Sequence, residues 1–358
     1  MKDWYGPPVA IHGVPGEVYV CGDGDFIGEC RAGFEATVWD RGRDLARKLQ
    51  RAARIATRPR RAVLHAGFAT LQELLLEAGS KRQEFPFNMP SSGSGYAVAG
   101  LCVSSWRATA SSGLIPPNGA AASAAAAGDV PVNTTTGAFQ FQNASVSGDF
   151  THFTGGSMIA VNGAGNSGGQ MLVYDRIFHV AKTMNNSGTE AVTGVPTRYQ
   201  STTATDPDYC GGNFLFIEVS TVLANTAHNW TVCQYQNQSG SGTATLPSVT
   251  GNAAALVGRL DHAVWQWFCP LAAGDIGVKK LTQMQCSALV ATGAINFVIG
   301  HPIAWLPAPL PGMVCEVGGI ITSFNMARIF DNAALSLIEV HGGSAQVSYT
   351  GNFTVVSG

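Results

Sequence analysis

Charged residues are scarce in this chain of 358 residues, since Asp, Glu, Lys and Arg make up 12% of it, about half of the usual ~25%. Glycine contributes 43 residues, and Ser, Thr, Asn and Gln fill the stretches between short apolar runs. So little charge is typical of long β-structures and of proteins that are covered by their neighbours in an assembly.

Motifs that would indicate a metal site, a disulfide framework or a membrane anchor are missing. The eight cysteines include no CxxC pair and the eight histidines no HExxH or HxH motif, so we expect buried free thiols and neither a metal nor a cofactor. The first residues, MKDWYGPP, carry no apolar segment behind Lys2. No apolar run approaches ~20 residues, so we expect no signal peptide and no membrane contact.

Basic residues are concentrated near the N-terminus. Residues 1–107 hold 14 Lys and Arg against 11 Asp and Glu, whereas residues 108–358 hold 7 against 12. Apolar residues at helical spacing predict a basic helix over 40–56 and, after Pro59, a second helix that ends before Gly79.

The basic side chains of this region are candidates for contact with an acidic protein surface. They are equally typical of a solvated helix face, and binding to nucleic acid is not expected because no recognisable motif accompanies them. The candidates are Arg41, Arg43, Arg47, Lys48, Arg51, Arg54, Arg58, Arg60 and Arg61.

Composition divides the chain into three parts. Residues 1–85 contain a predicted hairpin over 17–31 and the basic helical region, and residues 86–137, rich in Pro, Gly, Ala and Ser, are interpreted as an extended connector. Residues 138–358 carry short apolar runs between turns without long helices, which predicts an antiparallel β-sandwich or jelly-roll-like domain, mainly β. The predicted strands are 138–141, 158–161, 170–174, 214–219, 230–235, 277–278, 294–299, 335–340 and 353–356.

The heptad GAGNSGG at 163–169 fits both the dinucleotide fingerprint GxGxxG and the nucleophile pattern GxSxG. The fingerprint and the nucleophile elbow both require a following helix, but QMLVY at 170–174 predicts a strand. GNSGG also resembles the serine loop of trypsin-like proteases, yet no histidine before Ser167 lies in a matching context. We therefore predict no catalytic residues, with a serine hydrolase using Ser167 as an alternative.

Aromatic residues of the C-terminal half are candidates for the core or for contacts between subunits. A platform that stacks against carbohydrate is an alternative use of the same side chains. The subunit-contact candidates are Trp230, Tyr235, Trp265 and Trp267.

Several short segments of the sequence, taken in order along the chain, are similar to segments of one group of proteins. They are FATLQELL (68–75), Trp106 with Gly113 and PP (116–117), TGA (136–138), LVYDRI (172–177), PTRY (196–199), Glu218, NWTV (229–232), YQNQSG (235–240) and AGDIGV (273–278). As a set they resemble virion structural proteins of tailed bacteriophages, of the kind that decorate or cement the head. Residues 1–67 depart from this pattern.

The resemblance implies a non-enzymatic subunit, trimeric, that binds the major capsid protein on the virion surface after synthesis in the host cytoplasm. Such a protein stabilises the head by bridging capsomers. A fibre or receptor-binding module of the virion, with the same β architecture, is the alternative.

Overall fold

A computed structural model describes residues 19–20, 26–27, 71–90, 98–108, 113–145, 149–161, 168–318, 327–344 and 347–358. The chain divides into two compact units, residues 1–63 and 64–358. In the first unit, β1 (Tyr19–Val20) pairs antiparallel with β2 (Phe26–Ile27), which confirms the predicted strand pair. The nine basic candidates between Arg41 and Arg61 lie outside the described residues.

The described part of the second unit is mainly antiparallel β-structure, which confirms the predicted fold class. Its elements are α1 (Leu71–Lys81), β3 (Arg82–Met89), β4 (Cys102–Ser104), β5 (Thr151–Val161), β6 (Gly169–Thr183), β7 (Glu190–Ala191), β8 (Phe214–Thr221), β9 (Asn229–Trp230), β10 (Gln234–Asn237), β11 (Ala244–Thr245), β12 (Val249–Thr250), β13 (Val278–Met284), β14 (Ala294–Ala308), β15 (Val314–Gly318), β16 (Arg328–Ile329), β17 (Leu335–His341) and β18 (Ser348–Ser357).

Helix α1 continues two residues beyond Gly79, so the prediction that Gly79 ends the helix is wrong. The last turn is held by Lys81, whose Nζ lies 2.8 Å from Asp149 and 2.9 Å from Glu77. A cation at this position also complements the partial negative charge of a helix C-terminus. In the described part of the chain, no helix has both the length and the apolar character needed to cross a bilayer.

The segment 86–137, interpreted as an extended connector, is packed into the second unit. β3 pairs with β18 along its whole length, and β4 pairs with β17. The alanine tract lies against β14, where the Ala122 N–H donates to Asn296 Oδ1 at 3.1 Å. Small side chains here allow the backbone to lie close to neighbouring strands.

Two five-stranded sheets form the centre of the second unit, with the orders β4-β17-β6-β14-β8 and β15-β5-β18-β3; the fifth strand of the latter sheet, β16, also pairs with β5. β6 and β14 pair over almost their whole length, from Ala294 opposite Thr183 to Ala308 opposite Gly169. The sheets pack face to face over a core that includes Leu335 and Phe353. A smaller sheet, β11-β10-β13-β7, shares a second core with β6, β8 and β14.

The first sheet is closed by the segment 258–261, which hydrogen bonds to β4 on one side and to β8 on the other. The bonds to β4 are Ser104 N–H to Gly258 O (2.8 Å) and Leu260 N–H to Cys102 O (2.9 Å); those to β8 are Val219 N–H to Arg259 O (2.9 Å) and Asp261 N–H to Ile217 O (2.8 Å). We call β4, β17, β6, β14, β8 and this segment the strand ring. Closure leaves neither β4 nor β8 as an unpaired edge.

Candidate functional site

The interior of the strand ring is apolar over most of its length. Alternate residues of each strand point inward, since successive side chains of a strand face opposite sides. Those that pack together are Cys102, Leu172, Tyr174, Phe214, Phe216, Leu260, Val298, Ile338 and Val340, all buried. The ring is therefore a filled core and offers no channel for a ligand.

One end of the ring contains a buried ion pair. Arg176 donates two hydrogen bonds to Glu218, at 3.0 and 2.9 Å, and both side chains are fully buried. Asn296 Nδ2 donates to the same carboxylate at 2.7 Å, and the guanidinium lies 4.6 Å from the centre of the Trp106 ring. Burial alone would lower the pKa of Arg176, but Glu218 raises it above its ordinary value. The pair is fully satisfied inside the protein.

Two of the four subunit-contact candidates lie in the core, which is the other position expected for these aromatic residues. Trp230 is 1% exposed and Tyr235 is fully buried. The Trp230 indole N–H donates to Asp261 Oδ2 at 2.8 Å, and the Tyr235 hydroxyl donates to Asp275 Oδ2 at 2.6 Å. Their polar atoms thus bind within the chain, which leaves nothing for a neighbouring subunit.

The other two candidates lie on a surface at the opposite end of the ring from Arg176. Trp267 is half-buried and packs on the first residue of β8, with ring centres 4.8 Å apart, whereas Trp265 is 57% exposed. We call this surface the aromatic face. The name covers Val264, Trp265, Trp267, Phe268, Ile276 and Trp305; Trp267, Phe268 and Ile276 line one cavity, Trp305 packs on Trp267, and Trp265 lines another cavity beside Gly168 and Pro307.

The backbone holds Trp265 in an outward position at a conformational cost. Its φ of 65° lies in the left-handed region, which costs a residue other than glycine about 1 kcal/mol or more. Its N–H donates to Gly100 O at 2.6 Å, and its ring lies on Gly100, where an added Cβ would be 2.5 Å from the indole. Strain of this kind tends to be found at functional surfaces.

A cavity of about 280 Å³ opens beside Trp267 on the aromatic face. Its lining includes Phe214, Phe268 and Ile276, together with the polar residues Asn213 and Asp275. Asp275 accepts hydrogen bonds from Tyr235 and Asn237, and the Asn213 amide donates to two backbone carbonyls. Because these polar groups are already engaged, the cavity fits an apolar side chain better than a sugar or a charged ligand.

Three of the short segments singled out in the sequence supply much of the buried polar structure. LVYDRI carries Asp175 and Arg176, and PTRY carries Arg198, which donates two hydrogen bonds of 2.8 Å to Asp175. Glu218 completes the second ion pair. No family model, curated protein or solved structure matches the chain. These segments therefore contain residues that hold the fold together, and of the aromatic face they include only Ile276.

The heptad at 163–169 leads into β6, so the prediction that a strand follows it is confirmed. Ser167 lies outside the described residues, and Gly168 O accepts hydrogen bonds from Gly342 N–H and Tyr349 OH.

Close to Gly168 lies an imidazole–carboxylate pair that sequence reasoning missed, because the search covered only histidines before Ser167. His341 Nε2 is 2.6 Å from Glu339 Oε1, and both side chains are 3% exposed. Burial alone would lower the pKa of His341, but Glu339 raises it above its ordinary value. The raised pKa favours the imidazolium form, which the adjacent Glu339 carboxylate stabilises.

The described thiols are free. Five of them are buried, namely Cys102, Cys210, Cys233, Cys269 and Cys286, and Cys315 is half-buried, as expected from the dispersed cysteines. Burial raises the pKa of Cys269 well above its ordinary value although His262 is 3.6 Å away, so this thiol is not activated. Within the described ranges, no three potential ligands come together around a metal position.

Proposed function

We propose that the chain is a virion structural subunit of the decoration or cement type, which stabilises a phage head by bridging capsomers. The proposal is supported above all by the aromatic face. Val264, Trp265, Phe268 and Ile276 are 48%, 57%, 37% and 61% exposed in the single chain. Phe268 and Ile276 line one cavity with Trp267, and exposed apolar patches of this kind mark surfaces that are covered by another protein.

The energetics favour burial of this surface in an assembly. Removing a large apolar side chain from water contributes about 1.5–3 kcal/mol when burial is complete. In a homotrimer each copy would contribute the same surface, so the gain is repeated at every contact. The strand ring behind the face is filled and closed, which keeps Trp267 and Trp305 in fixed positions against it.

The mechanism would be mass action. A trimer that binds several copies of the major capsid protein stabilises the assembled shell relative to its parts, and many weak contacts add through multivalency. On this proposal the basic residues 41–61 contact an acidic capsid surface, while the second unit forms the trimer.

The first experiment measures the oligomeric state and shell binding of the full chain and of two variants. Trp265→Ser should shift a trimer towards monomer by at least tenfold in dissociation constant, with an unchanged unfolding midpoint. A chain of residues 64–358 should still form the trimer but lose binding to shells. A full chain that is monomeric at all concentrations and binds no shell contradicts the proposal.

Two control assays address the alternatives. Binding of oligosaccharides that is lost in Phe268→Ala would assign the aromatic face to a receptor-binding module instead. Covalent labelling by a fluorophosphonate, lost in Ser167→Ala, would indicate a serine hydrolase. We expect neither.

A further inference from the structure

A lysine lies on the core-facing side of β6, at a position where an apolar residue would be expected. Alternate residues of a strand face the same way, so Lys182 shares this side with Phe178, Val180 and Met184, which belong to the second core. The Lys182 side chain is 0% exposed. A buried ammonium has lost its contact with water and requires close polar partners, so its role follows from the groups around Nζ.

The ammonium of Lys182 and the side-chain amide of Asn186 meet at one carboxylate oxygen. Glu190 is fixed at the start of β7 by pairing with Met284 of β13, and its Oε1 lies 2.5 Å from Lys182 Nζ. The same Oε1 accepts a hydrogen bond from Asn186 Nδ2 at 3.0 Å. The amine and the amide are therefore held side by side, with a proton acceptor between their nitrogen atoms.

The oxygen of the Asn186 amide is held as well. Asn186 Oδ1 accepts a hydrogen bond from Gly188 N–H at 2.8 Å, and Lys182 Nζ donates to Gly188 O at 3.5 Å. A Cβ on residue 188 would come within 2.9 Å of Asn186 Oδ1, so glycine allows this close approach. A backbone N–H aimed at a carbonyl oxygen stabilises the negative charge that develops there when a nucleophile attacks the carbon.

We propose that Lys182 and Asn186 form an intramolecular isopeptide bond, with Glu190 as general base and Gly188 N–H as oxyanion donor. Glu190 takes one proton from the Lys182 ammonium. The freed lone pair of Nζ bonds to Asn186 Cγ, and the carbonyl electrons move onto Oδ1. When the double bond to Oδ1 forms again, the Cγ–Nδ2 bond breaks and Nδ2 takes the proton from Glu190. Ammonia leaves with a second proton from Nζ, so the products are one amide and one ammonium ion.

The bond anchors to β6 the loop that leads from the strand ring to the smaller sheet. It holds β7 at the edge of that sheet, where only two of its residues pair with β13. All the reacting groups come from one chain, and none of them lies on the aromatic face. The inference is therefore independent of the proposed role as a virion subunit.

The experiment measures the mass of the intact full chain and of its tryptic peptides. Wild type should be lighter than its sequence mass by one ammonia, and trypsin should fail to cleave after Lys182, so that residues 177–198 stay in one peptide. Asn186→Ser should restore both the mass and the cleavage. The matched control is Asn185→Ser, which changes the neighbouring exposed asparagine and should leave the bond in place.

Two further variants separate the proposed chemistry from other losses of ammonia. Lys182→Arg should restore the full mass, whereas a succinimide at Asn186 would persist without the lysine. Glu190→Gln removes the base, and bond formation should slow about 100-fold or more. The proposal is overturned if wild type has its full sequence mass, if Lys182→Arg still lacks one ammonia in this segment, or if Glu190→Gln forms the bond as fast as wild type.

Discussion

Trp106 and Trp265 lie in two regions of the same unit and share one local arrangement, an indole packed on a glycine, but one ring is buried and the other exposed. Each indole lies on a glycine, Gly119 or Gly100, where an added Cβ would come within 2.5 Å of the ring. Trp106 is fully buried, donates its N–H to Ala120 O at 2.9 Å and covers Arg176, whereas Trp265 is 57% exposed. The difference lies in whether the chain itself supplies the covering partner.

The comparison suggests that stability and association are assigned to separate places. In the strand ring, buried charged groups and indoles hydrogen bond within the chain. Substitutions there should therefore lower the free energy of unfolding. On the aromatic face the proposed partner is another molecule, so substitutions there should change association. Three measurements test this division.

The largest effect is expected inside the ring. Glu218→Gln leaves the Arg176 guanidinium buried without its carboxylate, and we expect a loss of about 3–5 kcal/mol of unfolding free energy. The control is Glu84→Gln, which breaks the half-exposed pair with Arg82 and should cost less than about 1 kcal/mol. Urea denaturation measures both, and equal costs would remove the distinction between the two kinds of ion pair.

A buried histidine next to the aromatic face should make stability depend on pH. His262 accepts a hydrogen bond from Ile217 N–H at 2.9 Å, and burial lowers its pKa to about 4. The unfolded chain takes up this proton near pH 6.5 and the folded chain only near pH 4, so stability falls as the pH drops between these values. One site contributes about 1.4 kcal/mol per pH unit.

His262→Gln should therefore flatten the fall in stability between pH 6 and pH 4.5, measured as urea midpoints. His228 provides the opposite case. Burial alone would lower its pKa, but Asp261 raises it, so its contribution is complete below pH 6.5 and is lost as the pH rises. His228→Gln should reduce stability more at pH 5.5 than at pH 8. Parallel pH curves for wild type and both variants would contradict these assignments.

The smallest effects come from a matched pair of tryptophans. Trp230→Phe removes the indole N–H that donates to buried Asp261, and it should lower the free energy of unfolding by about 1–3 kcal/mol. Trp265→Phe changes an exposed ring and should alter stability by less than about 0.5 kcal/mol. Thermal unfolding of both variants decides the matter, and a Trp265→Phe cost as large as that of Trp230→Phe would place Trp265 in the core.

The apolar runs predicted the main strands because β-branched and aromatic residues are concentrated there. Six predicted runs lie within β5, β6, β8, β14, β17 and β18. The run at 138–141 alternates like a strand but forms none. Phe139 instead bonds through its N–H to Leu335 O and packs on Phe353, a tertiary contact that local pattern does not reveal.

Other features were hidden because they depend on distant parts of the chain. β3 contains Pro86, which argues against a central strand, and it indeed lies at a sheet edge. The segment 258–261 has no strand-like pattern, and its role arises only when β4 and β8 come close. Sequence likewise could not separate Trp230 from Trp265, since burial is decided by what packs against each ring.

The segment that closes the strand ring at Asp261 is separated by two residues from Val264, where the aromatic face begins. A molecule bound at Trp265 should therefore restrain the neighbouring residues 258–261, whose backbone hydrogen bonds join β4 to β8. Deuterium uptake at the Leu260 and Asp261 amides should slow when the face is covered. Binding at the exposed aromatic face would then be detected as slower exchange of backbone amides inside the strand ring.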